Sequence, residues 1–459
     1  MMTHSYCVVG GGISGLTAAY RLRVALGDEA SITLFDPADR LGGVLRTEQV
    51  GGVPMDVGAE AFVVRRPEMP ALLDELGLAN RQVGTTGARP LIYSQDRLHP
   101  LPQATLNGIP SSAESMAGLV NDATLAHIAS EPSRPFRWQP GGDPAVVDLV
   151  ADRFGEQVVA RSVDPMLGGV YAGSAATIGV RSAAPTLAAA LDGGAANLTD
   201  AVRQALMSVT AGPVFGSVGG GYQVLVDELV RRSRPNWVPA AVTRIEAAGQ
   251  GWMLHDAAGG QWGADAVILA VPAPRLAGLV EGIAPRTAAA AGRIVSASSV
   301  VVALAVPRGV RFPQNSGVLV ASGERLHAKA ITLSSRKWGR RSDVELLRLS
   351  FGRFGDSADK NPARRVSDDE LLAWAKQDLA QVFELAVDPV DVCVHRWLDA
   401  MPQYGPGHRD LVAELRAGLP PTVAVAGGYL DGIGVPACIG AAGRAVTGAI
   451  RAVDGSVAR

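Results

Sequence analysis

Cysteine, aromatic residues, surplus charge and long apolar runs are all scarce in this chain, and each scarcity removes a class of protein. The three cysteines, Cys7, Cys393 and Cys438, are far apart and odd in number. They match no zinc-ligand spacing and no disulfide framework, so a reducing, cytoplasmic setting is expected and a metal site is not. Aromatics make up 5% of 459 residues and the formal net charge is −2. That balance argues against a base-stacking platform, a nucleic-acid surface or strong attraction to an anionic membrane. The most apolar stretches, 264–271 and 298–306, fall short of the ~20 residues that cross a bilayer. The first residues lack a basic segment followed by a removable apolar one, so no secretory leader is expected. Weak peripheral contact with a membrane stays open.

Glycine, by contrast, is abundant: 54 residues, well above a usual share of about 7%. No short period accompanies it, so turns and close backbone approaches are its expected use. With 47% hydrophobic and 19% charged residues the chain reads as globular, and its length suits two or three domains.

A buried-strand signal at 6–9 runs straight into Gly10-Gly11-Gly12-Ile13-Ser14-Gly15. Leu16, Ala19, Leu22 and Leu26 then recur at helical spacing, with Gly27 as a stop, before a second strand at 31–35 ends on Asp36. Glycines at the first, third and sixth places between strand and helix form the dinucleotide fingerprint. Gly10 permits the tight turn, Gly12 lets backbone approach a pyrophosphate, and Gly15 lets helix and strand pack closely. The helix N-terminus offers free N–H groups and partial positive charge to phosphate. Asp36 stands where an acid binds ribose hydroxyls. The competing reading is a glycine-rich turn with no ligand.

Further on, helices are expected at 112–129, 144–154 and 198–206. Strands are expected at 237–242 and 266–271, on either side of a small hairpin. A β-branched run at 294–306 is expected to pair with 317–320 and 346–351. A helix at 371–382, a strand at 423–427 and a helix at 437–453 complete the pattern. The N-terminal unit and the late strand–glycine–helix unit are expected to share one sheet.

The segment DPADRLGGVLRT at 36–47 resembles the continuation found in amine-oxidase-like FAD proteins, which favours FAD over NAD. Four further segments resemble the porphyrinogen oxidases of the heme pathway, in family order and across nearly the whole chain. They are AFVVRRPE with LLDELGL at 61–78, VDPMLGGVYAG at 163–173, AMPQYGPGH at 400–408 and AGGYLDGIGVPACI at 426–439. Their details look like those of actinobacterial members. Ser174 replaces an Asp common in that family, and 181–185 lacks a Phe often found before its Pro, which puts substrate-pocket shape in doubt more than FAD binding.

The resemblance implies an α/β (α+β overall) protein. It would have a discontinuous Rossmann-type FAD-binding domain (1–80, 201–275, 415–459), a helical domain (81–200) and a mixed-sheet substrate-binding domain (276–414). It implies cofactor contacts at Gly10, Gly11, Gly12, Ile13, Ser14, Gly15, Asp36, Arg40, Gly42, Gly43, Met55 and Gly58. It also implies contacts at Val242 and Trp397, and Ile433, Gly434 and Val435 beneath the isoalloxazine. For Val242 and Trp397, ordinary core packing is the competing reading. Asp56 and Glu60 are read as turn and surface acids rather than a catalytic pair.

The activity implied is oxidation of coproporphyrinogen III to coproporphyrin III, with three O₂ reduced to H₂O₂. The alternatives are protoporphyrinogen IX as substrate, an amine oxidase or carotenoid desaturase, and a flavin-free prenyl-binding escort protein. The flavin carries the redox chemistry, so no triad or metal cluster is needed. Arg65 and Arg66, which would grip substrate carboxylates bidentately, are the first substrate-binding candidates; Tyr171 and Lys329 follow. His408 is read as structural or superficial. The expected partners are the tetrapyrrole and O₂, with transient contact with other heme-pathway enzymes left open.

Overall fold

The computed structural model describes residues 4–208, 212–355 and 361–457. Its centre is a parallel sheet in the spatial order Asn236–Val238, Ser31–Phe35, Ser5–Val9, Ala266–Leu269, Val423–Val425. Three distant stretches of chain thus build one sheet, and the N-terminal and late units share it as expected. The strands are apolar on both sides because both faces are covered. Tyr6 and Val8 join Ile32 and Leu34 beneath the helices Ile13–Leu26 and Val435–Val457. Cys7 and Val9 face the opposite way, onto a three-stranded antiparallel sheet (Val242–Ala248, Gly251–Asp256, Gln261–Ala264) and the helices Ala273–Val280 and Pro285–Gly292.

The expected strand at 237–242 is in fact two elements. Asn236–Val238 closes the parallel sheet, and Val242–Ala248 begins the antiparallel one. Pro239, which cannot donate to a ladder, marks the break between them.

A second, seven-stranded sheet runs Asp391–Pro402, Ser296–Pro307, Val344–Phe351, Ala328–Leu333, Gly317–Val320, Leu91–Ser94, Arg97–Pro100. Ser296–Pro307 pairs with Val344–Phe351 as expected, but its other neighbour is Asp391–Pro402. Gly317–Val320 lies two strands further out, beside Ala328–Leu333. Asp391–Pro402 escaped the sequence reading because it is an edge strand of mixed polarity, with no apolar run. The hairpin Leu91–Pro100, inside the interval read as helical, turns at Gln95 and Asp96, both at φ 55°. Two positive φ values make a hairpin turn usually written Asn-Gly, so the turn carries no glycine signal.

One face of this sheet is covered by the helix Asp368–Phe383, through Leu371, Ala375 and Leu379. The other receives the hairpin Thr47–Val50 and Val53–Asp56, whose Val50 and Met55 pack on Val301, Ala303 and Leu346. Through Asp56 and Thr47 the same hairpin accepts from Tyr222 and Gln223 N–H at the start of the helix Gln223–Ser233.

The third layer is helical. The expected helix at 112–129 is instead a 3-10 turn at Glu114–Met116 and the helix Asp122–Ser130, which begins where the Asn121 side chain accepts from Thr124 N–H at 2.9 Å. Val146–Phe154 and Leu198–Met207 match expectation closely, while Asp164–Tyr171 and Pro185–Asp192 add to it. A buried ion pair ties the layer together: Arg153 donates to Glu131 at 2.9 Å, and Glu131 also accepts from Thr199 Oγ1 at 2.6 Å.

Candidate cofactor and active site

The first strand delivers the chain into a turn that only glycine can make. Gly10 sits at φ 107°, and a Cβ there would lie 2.4 Å from the Ala270 carbonyl oxygen. A Cβ on Gly15 would lie 1.8 Å from the Gly10 oxygen, so helix and strand could not close. Gly12 is different. Its backbone, φ −73° and ψ −177°, is open to any residue. A Cβ there would meet only Gly43 Cα, at 3.9 Å. Neither conformation nor packing within the protein demands glycine at this place. A side chain would fill the cradle in front of the helix tip, where the first-turn N–H groups have no side-chain cap and no acid in the first turn. The residues present thus fit a diphosphate.

Asp36 is aligned beside that cradle, its carboxylate accepting from Gly11 N–H at 2.6 Å and from Ala38 N–H at 2.9 Å. Arg40 turns into its own loop, donating to the carbonyls of Leu41 (2.7 Å), Gly43 (2.7 Å) and Leu45 (3.1 Å). It braces Gly42 and Gly43, which take φ 116° and 57° and run against the helix tip. Gly42 N–H donates to the Gly11 carbonyl at 2.8 Å. Beyond them, a Cβ on Gly58 would lie 1.9 Å from the Val44 oxygen and 2.9 Å from Trp397 Cζ2. Trp397 is anchored by its indole N–H on the Val57 carbonyl at 2.9 Å. Gly12, Gly43, Val44, Gly58 and Trp397 form one continuous surface, and Val44 is 41% exposed on it.

Ile433, Gly434 and Val435 lead into the second helix opening at the same carboxyl edge of the parallel sheet, where open α/β sheets bind ligands. Gly434 is exposed, and a Cβ on it would meet only Pro436, at 3.7 Å. Cys438 in the first turn faces Ser14 of the first helix, and burial pushes its thiol up to about 11. Two helix N-termini therefore converge on one place. The side chains of Met55 and Val242, also expected at the cofactor, point into the protein. Both side chains are buried in apolar cores, at 1% and 2% exposure.

Asp56 and Glu60 are not surface acids, and this corrects the sequence reading. Glu60 bridges two units, accepting from Lys337 Nζ (2.8 Å), Ser334 Oγ (2.8 Å) and Trp338 Nε1 (3.0 Å). Burial would raise its pKa, but Lys337 and Arg348 outweigh that and bring it to about 2. Asp56 is 1% exposed and accepts from Thr47 Oγ1 at 2.6 Å and Tyr222 N–H at 3.0 Å, leaving Oδ2 without a hydrogen bond. Burial pushes it up to about 6 against those bonds. Nothing in the sequence marks either acid as interior. His395, on the same edge strand as Trp397 and 4.2 Å from its ring, was also not foreseen. Burial, then Arg46, brings it down to about 4, so it is neutral at physiological pH.

The four expected substrate-binding residues are spread over three units. Arg65 and Arg66 are exposed after the short strand Phe62–Val63, donating to the Gly212 carbonyl at 2.9 Å and to Glu68 at 2.7 Å respectively. Tyr171 closes a helix of the helical layer and packs on Tyr404, ring centroids 5.8 Å apart. Lys329 is buried in the second sheet, its ammonium donating to the Gly352 carbonyl at 2.5 Å. No group of His, Cys, Asp and Glu suited to a metal ion occurs among the described residues.

The family model for flavin containing amine oxidoreductases matches residues 13–450. The chain is similar to the coproporphyrinogen III oxidases of Mycobacterium tuberculosis (73% identical) and Mycobacterium leprae (70%), each over the full length of both proteins. The solved structure of a putative protoporphyrinogen oxidase from Exiguobacterium superposes with a TM-score of 0.86 at 25% identity, covering 97% of this chain and 98% of that one.

Gly12→Ala and Gly15→Ala separate the cradle from the fold. Gly12→Ala is expected to leave the apoprotein within about 1 kcal/mol of wild type while weakening flavin binding roughly ten- to hundredfold. Gly15→Ala is expected to lose the fold itself. Flavin titration beside urea unfolding decides it, and equal flavin affinity in Gly12→Ala would contradict the cradle.

For Asp56, the folded pKa of about 6 lies above the unfolded value of 3.8. Its contribution to stability is therefore present at low pH and lost as pH rises through 6. The always-neutral Asp56→Asn is expected to gain about 1–2 kcal/mol on wild type between pH 5 and pH 8. Parallel unfolding free energies across that range would show that Asp56 ionises as an ordinary carboxylate.

Proposed function

The chain belongs to the flavin-containing amine oxidoreductases, on their porphyrinogen oxidase branch, and we propose that it uses FAD to oxidise coproporphyrinogen III to coproporphyrin III. The full-length likeness to coproporphyrinogen III oxidases supports the substrate. The observation that carries the cofactor is Gly12, a glycine standing where neither backbone nor neighbours require one. Removing six hydrogens from the macrocycle consumes three O₂ and releases three H₂O₂, in three two-electron turns. FAD supplies the hydride acceptor and the passage of electrons to O₂.

The protein's part is to bind, orient and screen. The tip of Ile13–Leu26 would hold the diphosphate, and Asp36 would bind the ribose hydroxyls. The N-terminus of Val435–Val457 would lend partial positive charge to a bound flavin, which favours gain of negative charge on reduction. Trp397 and neutral His395 flank the same surface without adding charge. Arg65 and Arg66 are the proposed grips for substrate propionates, since planar guanidinium groups bind carboxylates in pairs of hydrogen bonds. No helix among the described residues is long and apolar enough to cross a membrane. With all three cysteines free, we place the enzyme in the reducing cytoplasm.

The purified protein supplied with coproporphyrinogen III and O₂ is expected to yield a fluorescent porphyrin with three H₂O₂ per macrocycle. Protoporphyrinogen IX, the alternative substrate, is expected to turn over more slowly. The reverse order would overturn the substrate assignment.

Arg65→Ala together with Arg66→Ala is expected to raise the Michaelis constant for the four-propionate substrate about three- to tenfold. An unchanged constant would remove both arginines from the substrate site.

A further inference from the structure

The segment Met401-Pro402-Gln403-Tyr404-Gly405-Pro406-Gly407-His408 does none of the binding described above, yet it is buried where three units meet. Tyr404 and His408 are each 4% exposed. The Tyr404 ring lies between Tyr171 (centroids 5.8 Å apart) and His408 (4.1 Å). Its hydroxyl donates to the Gly428 carbonyl, and His408 Nε2 bonds the Tyr429 carbonyl at 2.8 Å. Gly428 in turn backs directly onto Ile433, since a Cβ on Gly428 would lie 3.7 Å from Ile433 Cα and 3.5 Å from Cys438 Sγ.

On the other side, Gln403 donates to the Tyr171 carbonyl at 2.8 Å, and Gly179 N–H donates to the Tyr404 carbonyl at 2.9 Å. Gly407 N–H donates to Asp143 Oδ2 at 3.0 Å. The helical layer is thus bonded, through this one segment, to the loop that leads into Val435–Val457.

We propose that Tyr404, backed by His408, is a positioning residue that sets the height of the 428–434 loop under the flavin ring. The proposal rests on the reading that Ile433, Gly434 and Val435 lie beneath that ring. Two side-chain bonds reach consecutive carbonyls of the turn just before those residues, so the turn cannot settle elsewhere without breaking both. A buried carbonyl deprived of its donor shifts to find another, and Ile433 shifts with it.

The holoenzyme tests this with Tyr404→Phe, His408→Leu and His408→Gln, the last keeping an N–H donor. Tyr404→Phe and His408→Leu are expected to displace the visible flavin absorption and circular-dichroism bands. FAD binding should weaken about three- to tenfold, and kcat should fall while KM stays within about twofold. His408→Gln is expected to restore the bands substantially. Wild-type bands and FAD affinity in both Tyr404→Phe and His408→Leu would overturn the proposal, as would a His408→Gln variant as disturbed as His408→Leu. Should Tyr404→Phe fail to fold by far-ultraviolet circular dichroism, the His408 pair carries the same comparison. A wild-type chain that takes up no flavin overturns the functional reading itself. A flavin-binding wild type beside unaltered variants overturns this proposal alone.

Discussion

The Gly15 backbone lies so close to the carbonyl of Gly10 that not even a methyl group fits between them. That approach brings the N-terminus of Ile13–Leu26 down onto the carboxyl edge of the parallel sheet, and the rest of the site is arranged around it. Gly42 and Gly43 follow the tip because the Gly11 carbonyl and the Arg40 guanidinium hold them there. Asp36 is aligned because its carboxylate caps Gly11. Remove the approach and the N–H groups at the tip no longer converge.

The second sheet contributes through its contacts. The hairpin Thr47–Val50 and Val53–Asp56 packs on it, and the chain leaving that hairpin carries Gly58 against Val44 and Trp397. Buried charge fastens this region. Arg348 donates to the Gly58 carbonyl at 2.6 Å, and Glu60 is bridged to Lys337. Such pairs add little net stability, because desolvation offsets attraction, but breaking one is costly. Their effect here is to specify where the strand after Asp56 lies. The helical layer reaches the same place from the other side through Gln403 and Tyr404.

Much of this was legible in the sequence wherever a local rule operates. The glycine spacing, the apolar strands around it and the acid at position 36 all obey short-range sterics, and so the parallel sheet and its cradle could be foreseen from them. The long-range pairings were less accessible. Asp391–Pro402 has no apolar run, and Gln95-Asp96 turns a hairpin without glycine. Asp56 and Glu60 look like any two acids near a turn, and only the fold shows that Thr47, Tyr222 and Lys337 have been brought to them. Arg40 illustrates a subtler limit. Its spacing pointed to a ligand, whereas its guanidinium also serves three carbonyls of its own loop. Resemblance along the chain carried the functional reading further than any one motif, because the matching segments fall at the helix tips and junctions that the fold brings together.

We propose that two helix N-termini, opened by Gly12 and Gly434, hold one dinucleotide between them. The most direct measurement is to denature the purified protein after exposure to excess FAD and FMN together, then identify and count what it releases. One FAD per chain and no FMN is expected, since the cradle at the first helix tip fits a diphosphate. Release of FMN alone, or of no flavin from a well-folded chain, would contradict it.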